Sequence, residues 1–461
     1  MIREQSSFRD NKANVYNISG KILRKVNIAL NLDFDEFLNS NFYQKNSKLI
    51  IKTSILNDDE KEKLLIPQEK KIIWLEHEKL DHIIYPYEFT FTQLKDSASL
   101  FLNLYIDALK HSYEIIDASA YNIQFQNSSP IFIDLGSFTK LKEETEILWH
   151  KQFCENYLAP LLIKSITNIN FNDIFKGNLN GIDLKLASKI LPFWSYFNFN
   201  ILTNIHIHSF LNSRISSSSH TNKKIRKKNK ISFDQKILIA NSFKKIINKL
   251  TPKKNSYWLN YSKINSYSQE DNSKKEKNVS EFIKSQNIKS LLDIGCNNGF
   301  FSNSCFNNGA SQVVGIDNDL DALDEAYKRF KNKSYNFQAI YQNFSNPSSG
   351  IGWDNKERLS FTERFKNKFD GVICLAFIHH ICISNNVPLT MFIKYLGNFS
   401  SNFLLEFVSK DDKMVFNLLR NKENLVNDYN LHSLKKIISK DYKIVSEFAL
   451  TNSRTLIHFK K

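Results

Sequence analysis

Apolar residues along this chain recur in two rhythms. Lys71-Ile-Ile-Trp-Leu75 and His82-Ile-Ile-Tyr-Pro-Tyr87 are short β-type runs, whereas Leu94 to His111 repeats apolar side chains at helical spacing and predicts one long helix. Upstream, Ser7-Phe-Arg-Asp10 reads as a turn and Gly20 to Val26 as a basic strand. Trp149 to Leu162 and Ile231 to Leu250 read as further helices. The pattern then changes. A helix over Val279–Gln286 leads into the run Leu291-Leu-Asp-Ile294, a glycine turn, a helix from Phe300, and a second apolar run that ends at Asp317. Asp321–Phe330 predicts an amphipathic helix, and strands follow at Phe337–Tyr341, from Phe369, at Phe403–Val408, at Lys443–Ser446 and at Arg454–Phe459.

Strand, glycine turn, helix and acid-terminated strand form the first βαβ unit of a nucleoside-binding α/β sheet. In Asp293-x-Gly295-x-x-x-Gly299 the glycines let backbone approach a ligand, and the helix start offers free N–H groups to a carboxylate. Asp317 follows about 20 residues later, where an acid takes ribose hydroxyls. Cys296 and Asn297 complete the turn, and Asn318 follows the acid. The spacing is not G-x-G-x-x-G; it resembles the first motif of class I methyltransferases, a resemblance that implies S-adenosylmethionine as cofactor. It also implies an adenine contact at Asn343, lid residues at Tyr261 and Tyr267, and a catalytic edge where His379, His380 and Glu406 meet the substrate, either histidine serving as base.

At 461 residues the chain is too long for one ordinary core. The expected division is an α+β domain over 1–213, a basic linker with a helix over 214–255, and a Rossmann-like domain over 256–461. Hydrophobic content of 42% and charged content of 24% are those of a globular protein. No apolar run has signal-peptide or membrane-spanning length, so the expectation is a cytoplasmic enzyme. The net charge of +16 raises nucleic acid or a membrane surface as partners. Heavy use of Asn, Lys, Ile and Phe is the simpler cause, and much of the excess lies in Lys223-Lys-Ile-Arg-Lys-Lys-Asn-Lys230, which weighs against nucleic acid and leaves peripheral membrane contact open. The five cysteines form no CxxC pair or Cys/His ligand set, so no structural metal is expected. His206 and His208 lack a third ligand nearby and read as surface or loop histidines.

The N-terminal part holds a second pattern. A long helix, Asp117-Ala-Ser-Ala-Tyr-Asn122, a hairpin, and Asp134-Leu-Gly136 follow in the order of the catalytic loop and metal-binding strand of protein-kinase-like phosphotransferases, which this stretch resembles. That resemblance implies magnesium and ATP at Asp117, Asn122 and Asp134, with Lys25 as a guess for the nucleotide lysine. Ile115 and Ile116 depart from it, standing where His-Arg would precede the acid, and no Gly-rich phosphate loop is visible.

Taken whole, the chain resembles a family of two-domain class I methyltransferase-like proteins that includes a nodulation protein of the host-specificity type. The peptides Ser7–Asp10, Asp117–Phe125, Gln152–Cys154, His379-His380, Asn386–Leu389 and Glu406–Val408 carry the likeness. It implies a seven-stranded sheet and methyl transfer to a small-molecule or glycan acceptor. Alternatives are a bifunctional kinase–methyltransferase, or an RNA or protein methyltransferase that binds through the basic linker.

Overall fold

The computed structural model describes residues 2–9, 13–27, 32–67, 69, 71–142, 146–211, 231–254, 269–333, 335–419 and 428–461, the side chains at 2, 269, 414 and 417 excepted. Asp10, Tyr261, Tyr267 and the basic run Lys223–Lys230 lie outside the described residues. The chain forms two units: 1–125, 130–254 and 352–358 make the first, and 126–129, 255–351 and 359–461 the second.

The first unit opens with an antiparallel sheet of β1 (Ile2–Arg3), β2 (Ala13–Ile18), β3 (Lys21–Asn27), β4 (Thr53–Ile55) and β5 (Ile72–His77), in the order β1-β2-β3-β5-β4. The β2–β3 turn is tight because Ser19 and Gly20 both take positive φ, matching the twist of the flanking strands. Leu23, Ile18, Leu56 and Trp74 gather into one apolar cluster. The strand expected over His82–Tyr87 does not form. Pro86 has no N–H for a ladder, and the N–H and C=O of Ile84 bond the Gln124 side chain instead, ahead of a 3-10 turn at Pro86–Glu88.

Helix α1 (Phe91–Lys110) starts at a capping box, Thr90 with Gln93, and buries Leu94, Phe101, Leu104, Tyr105 and Leu109. After it come β6 (Tyr113–Ile115), which pairs with β9 (Phe138–Lys140), and the hairpin of β7 (Ile123–Gln126) and β8 (Ser129–Phe132). Helices α2 (Leu184–Ile190) and α3 (Phe233–Lys249) follow. α3 lies in what the sequence presents as a linker, yet it packs on α1. Phe243 meets Trp149 and Phe153, and Lys236 is buried 2.8 Å from Glu114. Leaving that lysine unpaired inside the protein would cost about 3–5 kcal/mol, so the pair specifies where the helix docks.

The second unit is a seven-stranded sheet of β10 (Ser290–Ile294), β11 (Gln312–Asp317), β12 (Asn336–Tyr341), β13 (Gly371–Cys374), β14 (Asn402–Val408), β15 (Lys443–Thr451) and β16 (Arg454–Lys460), ordered β12-β11-β10-β13-β14-β16-β15. The strands from β12 to β14 pair in parallel, and β16 runs antiparallel to both β14 and β15. Helices α4 (Gln269–Ser285), α5 (Phe300–Asn307), α6 (Leu320–Phe330), α7 (Leu389–Leu396) and α8 (Leu431–Asp441) complete it. β13 is buried along its whole length, as a parallel strand covered on both faces must be, and each buried Val or Ile contributes about 1.5–3 kcal/mol. The chain winds outward from β10 to β12, then returns to β13 on the other side of β10. That reversal opens a crevice at the carboxyl ends of β10 and β13.

Candidate active site at the carboxyl edge of the second sheet

β10 delivers the glycine turn to this crevice. Gly295 and Gly299 sit at φ +75° and +72°. A Cβ at Gly295 would lie 2.6 Å from the Phe377 ring, and one at Gly299 would lie 2.9 Å from the Phe330 ring, so both positions exclude any side chain. Gly299 is also the N-cap of α5. Cys296 is buried, and its thiol is pushed well up by that burial, which leaves an inert small apolar group.

Asp317 ends β11, the neighbouring strand. Its Oδ2 accepts from the Asn297 N–H and its Oδ1 from the Asp319 N–H, both at 2.8 Å. These bonds fix the direction of the carboxylate. Burial raises its pKa to about 6 despite the opposing backbone N–H groups of Asp319 and Asn297. Asn318 beside it is exposed. Asp293 is more deeply enclosed: it accepts from the Ser302 hydroxyl at 2.6 Å, under the start of α5, and burial pushes it up to about 7. It therefore supports the turn from below.

Asn343 follows β12, but its side-chain oxygen already accepts from the N–H and hydroxyl of Ser345, at 3.0 and 2.7 Å. The expected acceptor role toward adenine is thus occupied by a local turn, which short amide side chains readily form. Gln342 beside it is buried, with its oxygen 3.0 Å from the Ser348 hydroxyl and its amide nitrogen unpartnered among the described residues.

After β13 the chain turns through Ala376, a non-glycine residue at φ +50°, into His379 and His380. The two rings lie 4.1 Å apart. Burial drives His379 well below the ordinary imidazole range, and burial followed by the Arg454 charge lowers His380 to about 4. Both are neutral at pH 7. His379 Nδ1 has no partner among the described residues.

Glu406 corrects the sequence reading. It does not present a carboxylate to the crevice; it is fully buried, 2.6 Å from Lys275 of α4 and 3.3 Å from Arg454 of β16. Arg454 in turn grips Asp412 through two bonds, at 2.7 and 3.1 Å. Two cations and two carboxylates close on one another there, which makes Glu406 a structural anchor rather than a proton acceptor. Sequence reading missed Lys275, although a signal exists: Lys275, Val279 and Phe282 recur at helical spacing on the buried stripe of α4.

In the first unit two of the expected nucleotide residues, Asn122 and Asp134, share Ser137 as a partner. Asp134 is ion-paired with Arg24 of β3 and accepts from the Ser137 hydroxyl. Burial pushes its pKa up, but the Arg24 charge and the hydrogen bonds outweigh it and leave the carboxylate below its ordinary value. Asn122 donates to Ser137 at 3.4 Å, and Asp117 accepts from the Ser119 N–H at 2.8 Å, closing a turn. Lys25 points its charge to Glu69, 2.6 Å away. Magnesium and ATP thus find no support: the carboxylate meant for the metal is already neutralised, and no cluster of three ligand side chains exists among the described residues. His206, expected at the surface, is buried between two serine hydroxyls, and His208 stacks on His150.

Residues 292–391 match the family described as a methyltransferase domain. Over 466 residues the chain is 31% identical to nodulation protein NoeA of Rhizobium meliloti (strain 1021), covering 100% of this chain and 96% of that protein. Among solved structures, the bifunctional kinase-methyltransferase WbdD is similar at 16% identity over 41% of this chain and 39% of that one, with a TM-score of 0.31. The magnesium protoporphyrin IX methyltransferase ChlM from Synechocystis PCC 6803, with bound SAH, is similar at 14% identity over 48% and 94%, with a TM-score of 0.30.

The cofactor implied is S-adenosylmethionine, and the residues present fit it. A backbone-held carboxylate at the end of β11 suits hydroxyl donors, and the turn before it holds two glycines at positive φ where a side chain would strike the Phe377 and Phe330 rings. With 31% identity to NoeA along its whole length and the methyltransferase sheet in its second unit, the chain is a SAM-dependent methyltransferase and belongs to the family of nodulation protein NoeA.

Proposed function

We propose that the second unit transfers a methyl group to a hydroxyl of a small-molecule or glycan acceptor, with the acceptor held at the carboxyl end of β13. The observation that carries this reading is the neutral imidazole pair, His379 and His380, directly after the left-handed turn at Ala376. Strained backbone of this kind persists where a site is over-determined by its surroundings. Asp317 orients the ribose of the cofactor, while Gly295 and Gly299 admit the rest of it along the backbone. When bound, S-adenosylmethionine supplies a methyl already activated by the sulfonium. The protein's part is positioning, water exclusion and removal of the acceptor's proton.

His380 takes that proton. Burial and then the Arg454 charge lower its pKa to about 4, which keeps the imidazole unprotonated across the neutral range while making it a weak base. Asn343 and Glu406 take no part in the chemistry. The glycan class rests on the family resemblance. The test is transfer of labelled methyl to separate glycan, RNA and protein fractions, with His380→Ala as comparison. Label in the glycan or small-molecule fraction, reduced roughly 100-fold by the substitution, supports the reading. Label confined to RNA or protein rejects it.

A further inference from the structure

The first unit carries an apolar surface that the methyl-transfer chemistry does not use. Phe193–Phe197 forms a 3-10 turn, Asn198 caps the next turn through the N–H groups of Asn200 and Ile201, and the helix continues through a π-type stretch, Leu202–Ile207, to residue 211. Relative exposure is 74% at Phe193, 58% at Trp194, 84% at Phe197, 75% at Phe199, 53% at Phe210 and 51% at Leu211. Isolated apolar residues at a surface are ordinary. Six within residues 193–211, with the Phe193 and Trp194 rings 5.7 Å apart, are a local concentration of exposed apolar side chains of the kind that marks an interaction site.

The display is built from beneath. His206 is buried, with Nδ1 2.7 Å from the Ser188 hydroxyl on α2 and Nε2 2.8 Å from the Ser195 hydroxyl in the turn. Its ring stacks on Tyr196 at 3.6 Å and 9°. One imidazole therefore ties the aromatic turn to α2 and to the π-type stretch, and holds Phe193, Trp194 and Phe197 outward. Ordering these rings before any partner arrives lowers the cost of docking.

Charge selects the partner. α2 packs against the π-type stretch and carries exposed Lys185 and Lys189. In sequence, the chain beyond Leu211 holds six Lys and Arg residues between Lys223 and Lys230, and overall 63 basic residues face 47 acidic ones. A second copy of this chain would bring a net charge of +16 against +16, which opposes close approach. An anionic bilayer satisfies both features, because aromatic rings enter the headgroup–acyl boundary while lysines meet lipid phosphates. We propose that Phe193–Leu211 is a docking surface for an anionic membrane. No helix among the described residues is long and apolar enough to cross a membrane, so this contact is peripheral.

The test is co-sedimentation of the full chain with phosphatidylcholine vesicles, with and without phosphatidylglycerol. The expected result is partition onto the anionic vesicles that weakens with added salt and falls about tenfold or more in Trp194→Ser with Phe197→Ser. Both side chains are exposed, so the double variant should melt with the wild type. Equal partition of variant and wild type would overturn the proposal. So would a wild type that ignores both vesicles and forms a dimer, by sedimentation velocity, that the double variant dissolves.

Discussion

Asp293 and Asp317 are acids whose surroundings favour the proton. The native-state value of about 7 for Asp293 lies above the ordinary 3.8, so the folded protein binds a proton there that the unfolded chain has released. That contribution to stability is complete below about pH 4 and is lost as pH rises through about 7. Asp293→Asn keeps an acceptor for Ser302 and removes the ionisation. Its unfolding free energy relative to wild type should therefore climb between pH 4 and 7 and then level off, by an amount on the order of a few kcal/mol. A difference that stays constant across that range would show that Asp293 does not titrate there. At this scale the sequence was informative where chemistry is local. The glycines and the acid after them needed only strand, turn and strand in succession, whereas the local turn that occupies Asn343 and the burial of Glu406 depend on neighbours that no spacing reveals.

Elements in the second unit were readable because each parallel strand is a continuous apolar run and each covering helix carries a stripe. α4 is the instructive case. The apolar pattern marks only its end from Val279, since the first turns hold only polar and charged residues, good helix formers or residues that favour its start. Lys275, the residue that secures those turns, looks like one more surface lysine until Glu406 is placed beneath it. Glu406→Ala would leave Lys275 buried without its carboxylate and remove one partner of Arg454. Chemical denaturation should report a loss of about 3–5 kcal/mol in the second unit. A loss under about 1 kcal/mol would mean that the cluster is not the anchor of α4. In the first unit, His82–Tyr87 misled because its apolar residues suit a strand, while Pro86 and the Gln124 amide satisfy the backbone another way.

On the scale of the molecule, a methyltransferase sheet shares one chain with an α+β unit that begins with a five-stranded antiparallel sheet. The sequence announced two domains through its length and its charged segment. It did not announce that α3 belongs to the first unit, because the Lys236–Glu114 pair joins residues 122 positions apart. The likeness to a phosphotransferase lay in the order of Asp117, Asn122 and Asp134; the Arg24 charge that neutralises the last of them comes from another strand. What the whole account rests on is the proposal that the crevice at the carboxyl edge of the second sheet holds S-adenosylmethionine through Asp317. The direct measurement is calorimetric titration of S-adenosylmethionine into wild type and Asp317→Ala at neutral pH, repeated for wild type at pH 5. Hydrogen bonds to a carboxylate contribute about 1.5–3 kcal/mol each, so the substitution should weaken binding roughly 100-fold, and wild-type affinity should fall as pH drops through about 6. Unchanged affinity in Asp317→Ala would contradict the account.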